Sequence, residues 1–319
     1  MAPPAGVETS VEKEVDFLVK EDSVEEKPAQ PFKAEIVWRN VVVFLLLHLG
    51  ALYGLYLAVF YAKWQTLALG VLLYIAAGLG ITAGAHRLWA HRSYKATFPL
   101  RVILMILNCI ALQNDIIEWS RDHRGHHKWS ETDADPHNAN RGFFFSHMGW
   151  LLVRKHPEVV RRGKTLDLSD LYNDPVLQFQ RRHYKPLVIV FCFVLPTVIA
   201  WKGWGENVYT AYFIVGVLKY IVTLHITWCI NSLAHRYGYR PYDSRIQPRE
   251  NITTALWALG EGWHNYHHTF PQDYKTSELP WALNFTTMFI DFFALLGWAY
   301  DTKFMSSDAI QRQKAKHGE

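Results

Sequence analysis

The chain has 319 residues, of which 50% are hydrophobic and 19% are charged. This mixture argues against a purely soluble core and favours membrane segments offset by a substantial polar part. The formal net charge of +4 suits an anionic membrane surface and an anionic substrate but is too small to decide either. We expect no nucleic-acid partner. The cysteines Cys109, Cys192 and Cys229 lie in apolar segments and are expected to be reduced.

Residues 1–33 are rich in Glu, Lys, Pro and Ala and contain few large apolar side chains. Such a segment cannot bury enough apolar surface to order itself, which predicts a disordered N-terminal tail. It also lacks a basic stretch followed by an apolar one, so we expect no cleaved signal peptide.

Two apolar hairpins follow the tail. Segments 40–62 and 64–85 are separated by Lys63, their one charge, and each is long enough to cross a bilayer core of about 30 Å. A second pair, 186–201 and 207–234, flanks a short polar turn. The sequence therefore predicts an all-α integral membrane protein with four transmembrane helices, arranged as hairpins over 34–85 and 186–234.

The loops between the hairpins predict the orientation. Residues 86–185 carry sixteen Lys/Arg against ten Asp/Glu, which places this loop and both termini in the cytosol. We expect 86–185 and 235–303 to form a cytosolic helical cap, followed by a C-terminal tail over 304–319. Within the cap, the apolar stretch 98–117 is expected to be one helix on the membrane surface, because a fifth span would reverse the side of the segments after it.

Histidines cluster in three short windows next to the apolar segments: His86 and His91; His123, His126 and His127; His264, His267 and His268. Imidazole is the commonest nitrogen ligand of first-row transition metals. Histidines at i, i+3 and i+4 share one face of a helix. The five-residue spacing of the first window turns its two rings roughly 140° apart on an α-helix, which predicts that they diverge toward two metals.

The cluster composition favours iron over zinc. A zinc site takes four ligands and usually includes thiolates or a carboxylate, whereas eight histidines gather here without a cysteine. An all-nitrogen neutral shell leaves two irons with high positive charge, which favours an oxidant made from O2 over hydrolysis. The sequence thus predicts one dinuclear, histidine-ligated di-iron site within the cap.

The three windows resemble the histidine boxes of the membrane acyl-CoA desaturases, the stearoyl-CoA desaturase family, and suggest an insect member. The surrounding Arg121 through Lys128, Asp135 through Asn138 and Gly142 through His147 share the resemblance, which extends from about Trp38 to Tyr300. It implies a ninth iron ligand, His235, and a role for Asn231 in reaching an iron through a water. The other histidines are expected to be structural, although those within spans would need hydrogen-bond partners: His48, His137, His147, His156, His183, His225 and His317.

The resemblance also implies a set of acyl-CoA contacts: Arg39, Asn40, Gln113, Asn114, Arg121, Asp122, Arg154, Lys155 and Trp228. Arginine and lysine suit the phosphates of coenzyme A, although Arg154 and Lys155 could equally be an ordinary solvated pair. Gly70 and Tyr74 precede the first box by sixteen and twelve residues and share one helix face. We expect them at the closed end of an acyl tunnel; the alternative is that they only pack against neighbouring helices.

Together these features predict a multi-pass enzyme of the endoplasmic reticulum membrane. It would remove two hydrogens from a saturated fatty acyl-CoA at carbons 9 and 10 to leave a cis double bond, with O2 as co-substrate. The resemblance implies electrons from cytochrome b5 and its NADH reductase. Alternatives are a desaturase of shifted regioselectivity, as in pheromone synthesis, or an acyl hydroxylase. A histidine-rich zinc receptor or transporter is a more distant one.

Overall fold

The predicted membrane spans are long apolar helices. A computed structural model describes residues 33–279 and 281–319, so the predicted disordered tail lies outside the described residues apart from Lys33. Four helices of 23, 27, 21 and 25 residues are long and apolar enough to cross a membrane: Trp38–Phe60, Trp64–Ala90, Tyr184–Trp204 and Val208–Ser232. These are the first to fourth spans below. The prediction of four spans in two hairpins is confirmed.

Three of the spans contain a π-helical stretch, in which backbone bonds run from i to i+5. In the second span the α-helix Trp64–Leu79 becomes a π-helix over Gly80–Ala90. The third and fourth spans contain π-helices at Ile189–Val194 and Tyr212–Leu218. A Cβ on Gly80 would lie 2.3 Å from the backbone nitrogen of Asn108. Only glycine therefore lets the second span lie so close to the helix that contains Asn108.

The apolar stretch expected to be one surface helix is two helices. Phe98–Ala111 and Ile116–Lys128 meet at 82°. Leu112 and Asn114 have φ angles of 49° and 72°, which ends the first helix, and Asp115 caps the second by accepting the Glu118 N–H at 3.1 Å. The prediction of a single helix over 98–117 is wrong, because the polar run Gln113-Asn114-Asp115 forms a turn that ends one helix and caps the next. Counted as one broken span, the pair would bring the total to five.

The segments that follow each hairpin form the cap, to which the helix of the predicted C-terminal tail is added. Its further α-helices are short: Phe143–His147, Pro157–Gly163, Ser169–Tyr172, Pro175–Arg182, Ile252–Trp257, His264–Thr269, Phe285–Leu295 and Ser307–His317. Single 3-10 turns lie at Ala139–Arg141 and Gly149–Leu151. A two-stranded antiparallel sheet pairs Lys95–Ala96 with Ala299–Tyr300, with Lys95 opposite Tyr300.

The main hydrophobic core lies where the second span meets the cap. Leu100, Leu104, Ile116 and Leu177 are fully buried there. Ile310, on the helix within the predicted C-terminal tail, is buried in a smaller cluster with Tyr242, Tyr266 and Phe270. That helix therefore packs directly behind the third histidine window. The three cysteines are unpaired thiols, as expected.

The turns of the two hairpins are joined by one buried carboxylate. Glu206 accepts hydrogen bonds from the backbone N–H of Lys63 at 2.9 Å and from the Thr66 hydroxyl at 2.6 Å. In return, Lys63 Nζ donates to the carbonyls of Trp204 and Gly205, both at 2.8 Å. Since Thr66 and Glu206 are buried, these bonds fix the ends of the hairpins to each other.

Replacing Glu206 with alanine should destabilise the protein. The substitution leaves the Thr66 hydroxyl and the Lys63 N–H buried without an acceptor, and each orphaned donor costs about 1–3 kcal/mol. We expect a lower Tm in detergent, measured by thermal unfolding, and a smaller decrease for Glu206→Gln, which keeps one acceptor oxygen. An alanine variant as stable as the parent protein would show that the turns are not joined in this way.

Candidate metal centre

Nine histidines converge at the junction of the second span and the cap, in two groups. The five-histidine group is His86, His91, His123, His127 and His267, and the four-histidine group is His126, His235, His264 and His268. Within each group the candidate ligand atoms all lie within 4.8 Å of one another. The structure thus brings together all nine histidines selected from the sequence, including His235, which lies outside the three windows.

The contacts within each group are between Nε2 atoms. In the five-histidine group the Nε2 atoms of His86 and His127 each lie 2.9 Å from Nε2 of His267. In the four-histidine group the corresponding distance between His235 and His264 is also 2.9 Å. Two nitrogens at right angles, each about 2.1 Å from an ion, are separated by about 3.0 Å. The spacing therefore suits neighbouring ligands of one ion.

Both histidines of the first window belong to one group only. His86 and His91 both belong to the five-histidine group, with ring centroids 4.8 Å apart. The prediction that their rings diverge toward two metals is wrong, because it assumed an α-helix. In the π-helix the N–H of His91 bonds to the carbonyl of His86 at 3.0 Å. Residues five apart thus share one face.

The second and third windows each contribute histidines to both groups. Among the histidines of Ile116–Lys128, only His126 faces the four-histidine group, and among those of His264–Thr269 only His267 faces the five-histidine group. The rings of His127 and His268 stack at 4.1 Å across the boundary between the groups. One helix face at i, i+3 and i+4 thus spans two adjacent sites, which is the arrangement of a dinuclear centre.

Carboxylates orient one histidine from each of three segments. The Nδ1 atoms lie against carboxylate oxygens as follows: His86 with Glu261 at 2.9 Å, His126 with Asp135 at 3.0 Å and His235 with Glu131 at 2.6 Å. A hydrogen bond of this kind keeps Nδ1 protonated and leaves the Nε2 lone pair free for an ion. Sequence reasoning missed this role. Glu261 lies close to the third histidine window in the sequence. Asp135 and Glu131, however, have no helical spacing that relates them to His126 and His235.

A buried arginine holds one of these carboxylates. Arg87 is fully buried and donates to Glu261 at 2.9 Å, to the Thr287 hydroxyl at 2.9 Å and to the Tyr274 carbonyl at 2.8 Å. Although burial raises the pKa of Glu261, the charges of Arg87 and His86 hold it below its ordinary value. Glu261 is therefore an anion that can accept from His86.

The three imidazoles of the third window are kept neutral. Burial, reinforced by neighbouring histidines, holds the pKa of His264, His267 and His268 well below the ordinary range. Neutral imidazole is the form that binds a metal. Among the described residues, Nε2 of buried His126 has no hydrogen-bond partner, and a buried polar atom of this kind requires an explanation. An ion in the four-histidine group would satisfy it.

A cavity of about 170 Å³ leads from between the spans to the five-histidine group. Its wall includes five of the residues selected from the sequence, next to His123: Gln113, Asn114, Asp122, Trp228 and Asn231. We call it the main cavity. His137, expected to be structural, also lines it and lies 3.4 Å from Asp135.

The predicted head-group contacts divide into two sets. Arg121 bonds to Asp122 at 2.9 Å, and Lys155 bonds to the same carboxylate, so both adjoin the main cavity. Asn40 reaches it indirectly, through a 2.8 Å bond to the carbonyl of Leu151. Two further predicted contacts are exposed and do not belong to the described cavity wall: Arg39 and Arg154.

A second, smaller cavity lies between the second and fourth spans. Tyr74 lines it, and its hydroxyl donates to the carbonyl of Trp257. Thr227 lines both cavities and accepts a 2.9 Å hydrogen bond from Gln113. Gly70 lines neither cavity, and a Cβ added there would meet nothing within 4 Å.

The family follows from comparison with known proteins. Residues 62–283 match the family model described as fatty acid desaturase. The chain belongs to the fatty acid desaturase family. It is 59% identical to the Delta(9)-fatty-acid desaturase fat-7 of Caenorhabditis elegans, over 92% of this chain and 87% of that protein. The resemblance noted in the histidine boxes is confirmed.

Two further relatives extend the likeness to an insect and a mammal. The acyl-CoA Delta-9 desaturase of Acheta domesticus is 56% identical over 92% of this chain and 82% of its own. The stearoyl-CoA desaturase of Homo sapiens is 53% identical over 99% of this chain and 88% of its own. Membership of the desaturase family sets aside a zinc receptor or transporter.

Removing an orienting carboxylate should weaken metal binding by this desaturase. In Glu131→Leu, Nδ1 of His235 loses its acceptor, and loss of such a partner costs about 10–100-fold in metal affinity. Metal content per chain, measured by mass spectrometry after dialysis against a chelator, should fall. The matched control Glu158→Leu, at a partly exposed carboxylate paired with Arg161, should retain metal. Equal retention by both variants would contradict the assignment.

Proposed function

We propose that this protein is an O2-dependent acyl-CoA desaturase that introduces a cis double bond at carbon 9 of saturated acyl chains such as stearoyl and palmitoyl. The observation that carries the proposal is a cavity between apolar spans that ends at His123 of a nine-histidine centre. The position of the bond is supported by the relatives, which are named Delta-9 and stearoyl-CoA desaturases.

We infer that the two groups hold two iron ions. The nine clustered imidazoles and the orphaned Nε2 of His126 suit such ions. Bound iron would supply an oxidant from O2 and two electrons, strong enough to remove two hydrogens from an alkyl chain. Asn231, in the wall beside His123, would hold a water near that centre.

The residues of the chain would bind and orient the substrate. Burial of Trp228 and the bond from Gln113 to Thr227 give the acyl chain a rigid wall. Arg121 and Lys155, fixed by Asp122, would hold the coenzyme A phosphates with Arg39, Asn40, Asn114 and Arg154. A head group held at one end and a closed tunnel at the other set which carbons lie beside His123.

The cellular setting proposed for this multi-pass protein follows from the reaction and the charge pattern. The excess of Lys/Arg over 86–185 supports a cytosolic centre with both termini on the same side, in the endoplasmic reticulum membrane. The reaction requires two electrons per double bond. We propose cytochrome b5, reduced by its NADH reductase, as their source.

Expression in a yeast strain that lacks its own desaturase tests the function. The chain should restore growth without added unsaturated fatty acid, and its lipids should contain new cis-9 16:1 and 18:1 chains by gas chromatography and mass spectrometry. His267→Ala should abolish the products and lower the metal content, whereas His317→Ala, at the end of the last helix, should do neither.

Other products of the same assay would replace the proposal by one of its alternatives. A double bond at another carbon would establish shifted regioselectivity, and a hydroxylated chain would establish an acyl hydroxylase. An unchanged lipid profile from well-expressed protein would remove the proposed function altogether.

Tyr74 is proposed to close the acyl tunnel. Because it lines the second cavity next to Thr227, Tyr74→Ala should lengthen the tunnel by roughly one helical turn, about 5 Å. We expect kcat/KM to shift toward longer saturated acyl-CoAs while the double-bond position stays fixed. Tyr53→Ala, in the first span against Phe213, is the control. Superimposable chain-length profiles for the parent and Tyr74→Ala would leave Tyr74 as a packing residue.

Gly70 is proposed to lie beyond Tyr74 in the same tunnel. It lies one turn from Tyr74 on the second span, but the space around it is open. If the tunnel continues past Tyr74, Gly70→Ala in the Tyr74→Ala background should shorten the preferred chain again.

A further inference from the structure

Three histidines outside the metal centre form a hydrogen-bonded row. His48 of the first span lies 3.0 Å, Nε2 to Nε2, from His225 of the fourth span. Nδ1 of His225 lies 2.9 Å from Nε2 of His147 on the helix Phe143–His147. We call these the histidine triad. Each was expected to be structural, and the two within spans to need partners; they are partners of one another.

The row continues to a carbonyl oxygen at each end. Nδ1 of His48 lies 2.6 Å from the Phe44 carbonyl. At the other end Nδ1 of His147 lies 2.9 Å from the Ser232 hydroxyl, which donates to the Trp228 carbonyl at 2.8 Å. The network thus contains five contacts, and both of its ends can only accept.

Counting hydrogens shows what the network lacks. A neutral imidazole carries one N–H and serine one O–H, so three neutral histidines and Ser232 supply four hydrogens for five contacts. One contact stays open while the triad is neutral. A single added proton completes all five when it resides on His225, because both ring nitrogens of that residue then donate to its neighbours.

The triad lies directly behind the wall of the main cavity. The ring of Trp228 is 5.1 Å from that of His225 and 5.7 Å from that of His147. It is also 5.7 Å from Phe44, and both Phe44 and Trp228 line the main cavity. The polar row therefore joins three elements at the point where Trp228 is held.

We propose that the histidine triad is a one-proton network that positions Trp228 in the cavity wall by tying the first span, the fourth span and the helix Phe143–His147 together. His48, His147 and His225 are positioning residues, since none of them lines the described cavity. That the cavity holds acyl-CoA rests on the proposed function.

The surroundings of His147 disfavour its charged form. Burial lowers the pKa of His147, so proton uptake is displaced below the ordinary histidine range. The charged side chains on the three elements and the turn before His147 have other partners: Arg39 contacts Asn40, Lys219 donates to the Ile110 carbonyl, and Arg141 lies over Phe145. The other titratable groups on these elements include Tyr53, Tyr220 and Cys229.

Two substitutions of His225 distinguish the effect of losing its hydrogen bonds from the effect of changing its side-chain volume. His225→Leu removes both contacts of the central ring. His225→Gln supplies two N–H donors where neutral histidine has one, so all five contacts can form without a charge. His183→Leu is the control, because His183 stacks on Phe179 away from the triad.

Steady-state kinetics with stearoyl-CoA in nanodiscs is the first measurement. We expect His225→Leu to raise KM at least threefold with little change in kcat or metal content, because ground-state positioning is lost while the metal centre is intact. His225→Gln should restore most of the affinity, because its two N–H donors complete the five contacts without an added proton. The control should match the parent.

Trp228 fluorescence is the second measurement, and it does not depend on turnover. The emission assigned to Trp228 is the difference between each protein and its Trp228→Phe counterpart. It should change in His225→Leu and be largely restored in His225→Gln. A glutamine variant as impaired as the leucine variant in both measurements, or a leucine variant with parental KM and emission, would overturn the proposal. An inactive parent with the expected emission changes would instead count against the proposed function alone.

Discussion

An imidazole that binds an ion through Nε2 must be neutral, must keep its proton on Nδ1 and must be shielded from water. Nine imidazoles gather here within two adjoining groups. Burial favours the neutral form of those in the third window, and Glu261, Asp135 and Glu131 orient three others through Nδ1. Most of the cap can be understood as the shell that maintains this arrangement, including fully buried Arg87, whose only charged partner among the described residues is Glu261.

The geometry of the centre depends on how closely the backbones approach one another. Gly80 lets the second span contact the backbone at Asn108, and the π-helical turns beyond it bring His86 and His91 onto one face. The 82° bend after Ala111 then aims the helix Ile116–Lys128 at the same point. Polar residues at that bend face the main cavity. The elements that assemble the metal groups therefore also shape the route to them.

The sequence was sufficient for the spans and for the nine histidines, because both leave strong local signals. An apolar run of that length without charges predicts a membrane span. His235 lies outside the three windows and was identified through the family resemblance. Three features could not be read locally. The π-helix over Gly80–Ala90 changes the angular spacing without changing the residues. Leu112 adopts a left-handed conformation that is unusual for leucine and that its residue type does not predict. Glu131 meets His235 across 104 residues, a distance over which no periodicity operates.

The composition of the two groups has a consequence for biosynthesis. The five-histidine group needs His267, and the four-histidine group needs His264 and His268 in addition to His126. The five-histidine group cannot be completed until residue 267 has been synthesised, and the four-histidine group not until residue 268. During synthesis the early histidines are therefore incomplete ligand sets, and metal insertion into either group would be among the last steps of maturation. A chain truncated before the third window would lack a complete site for either ion.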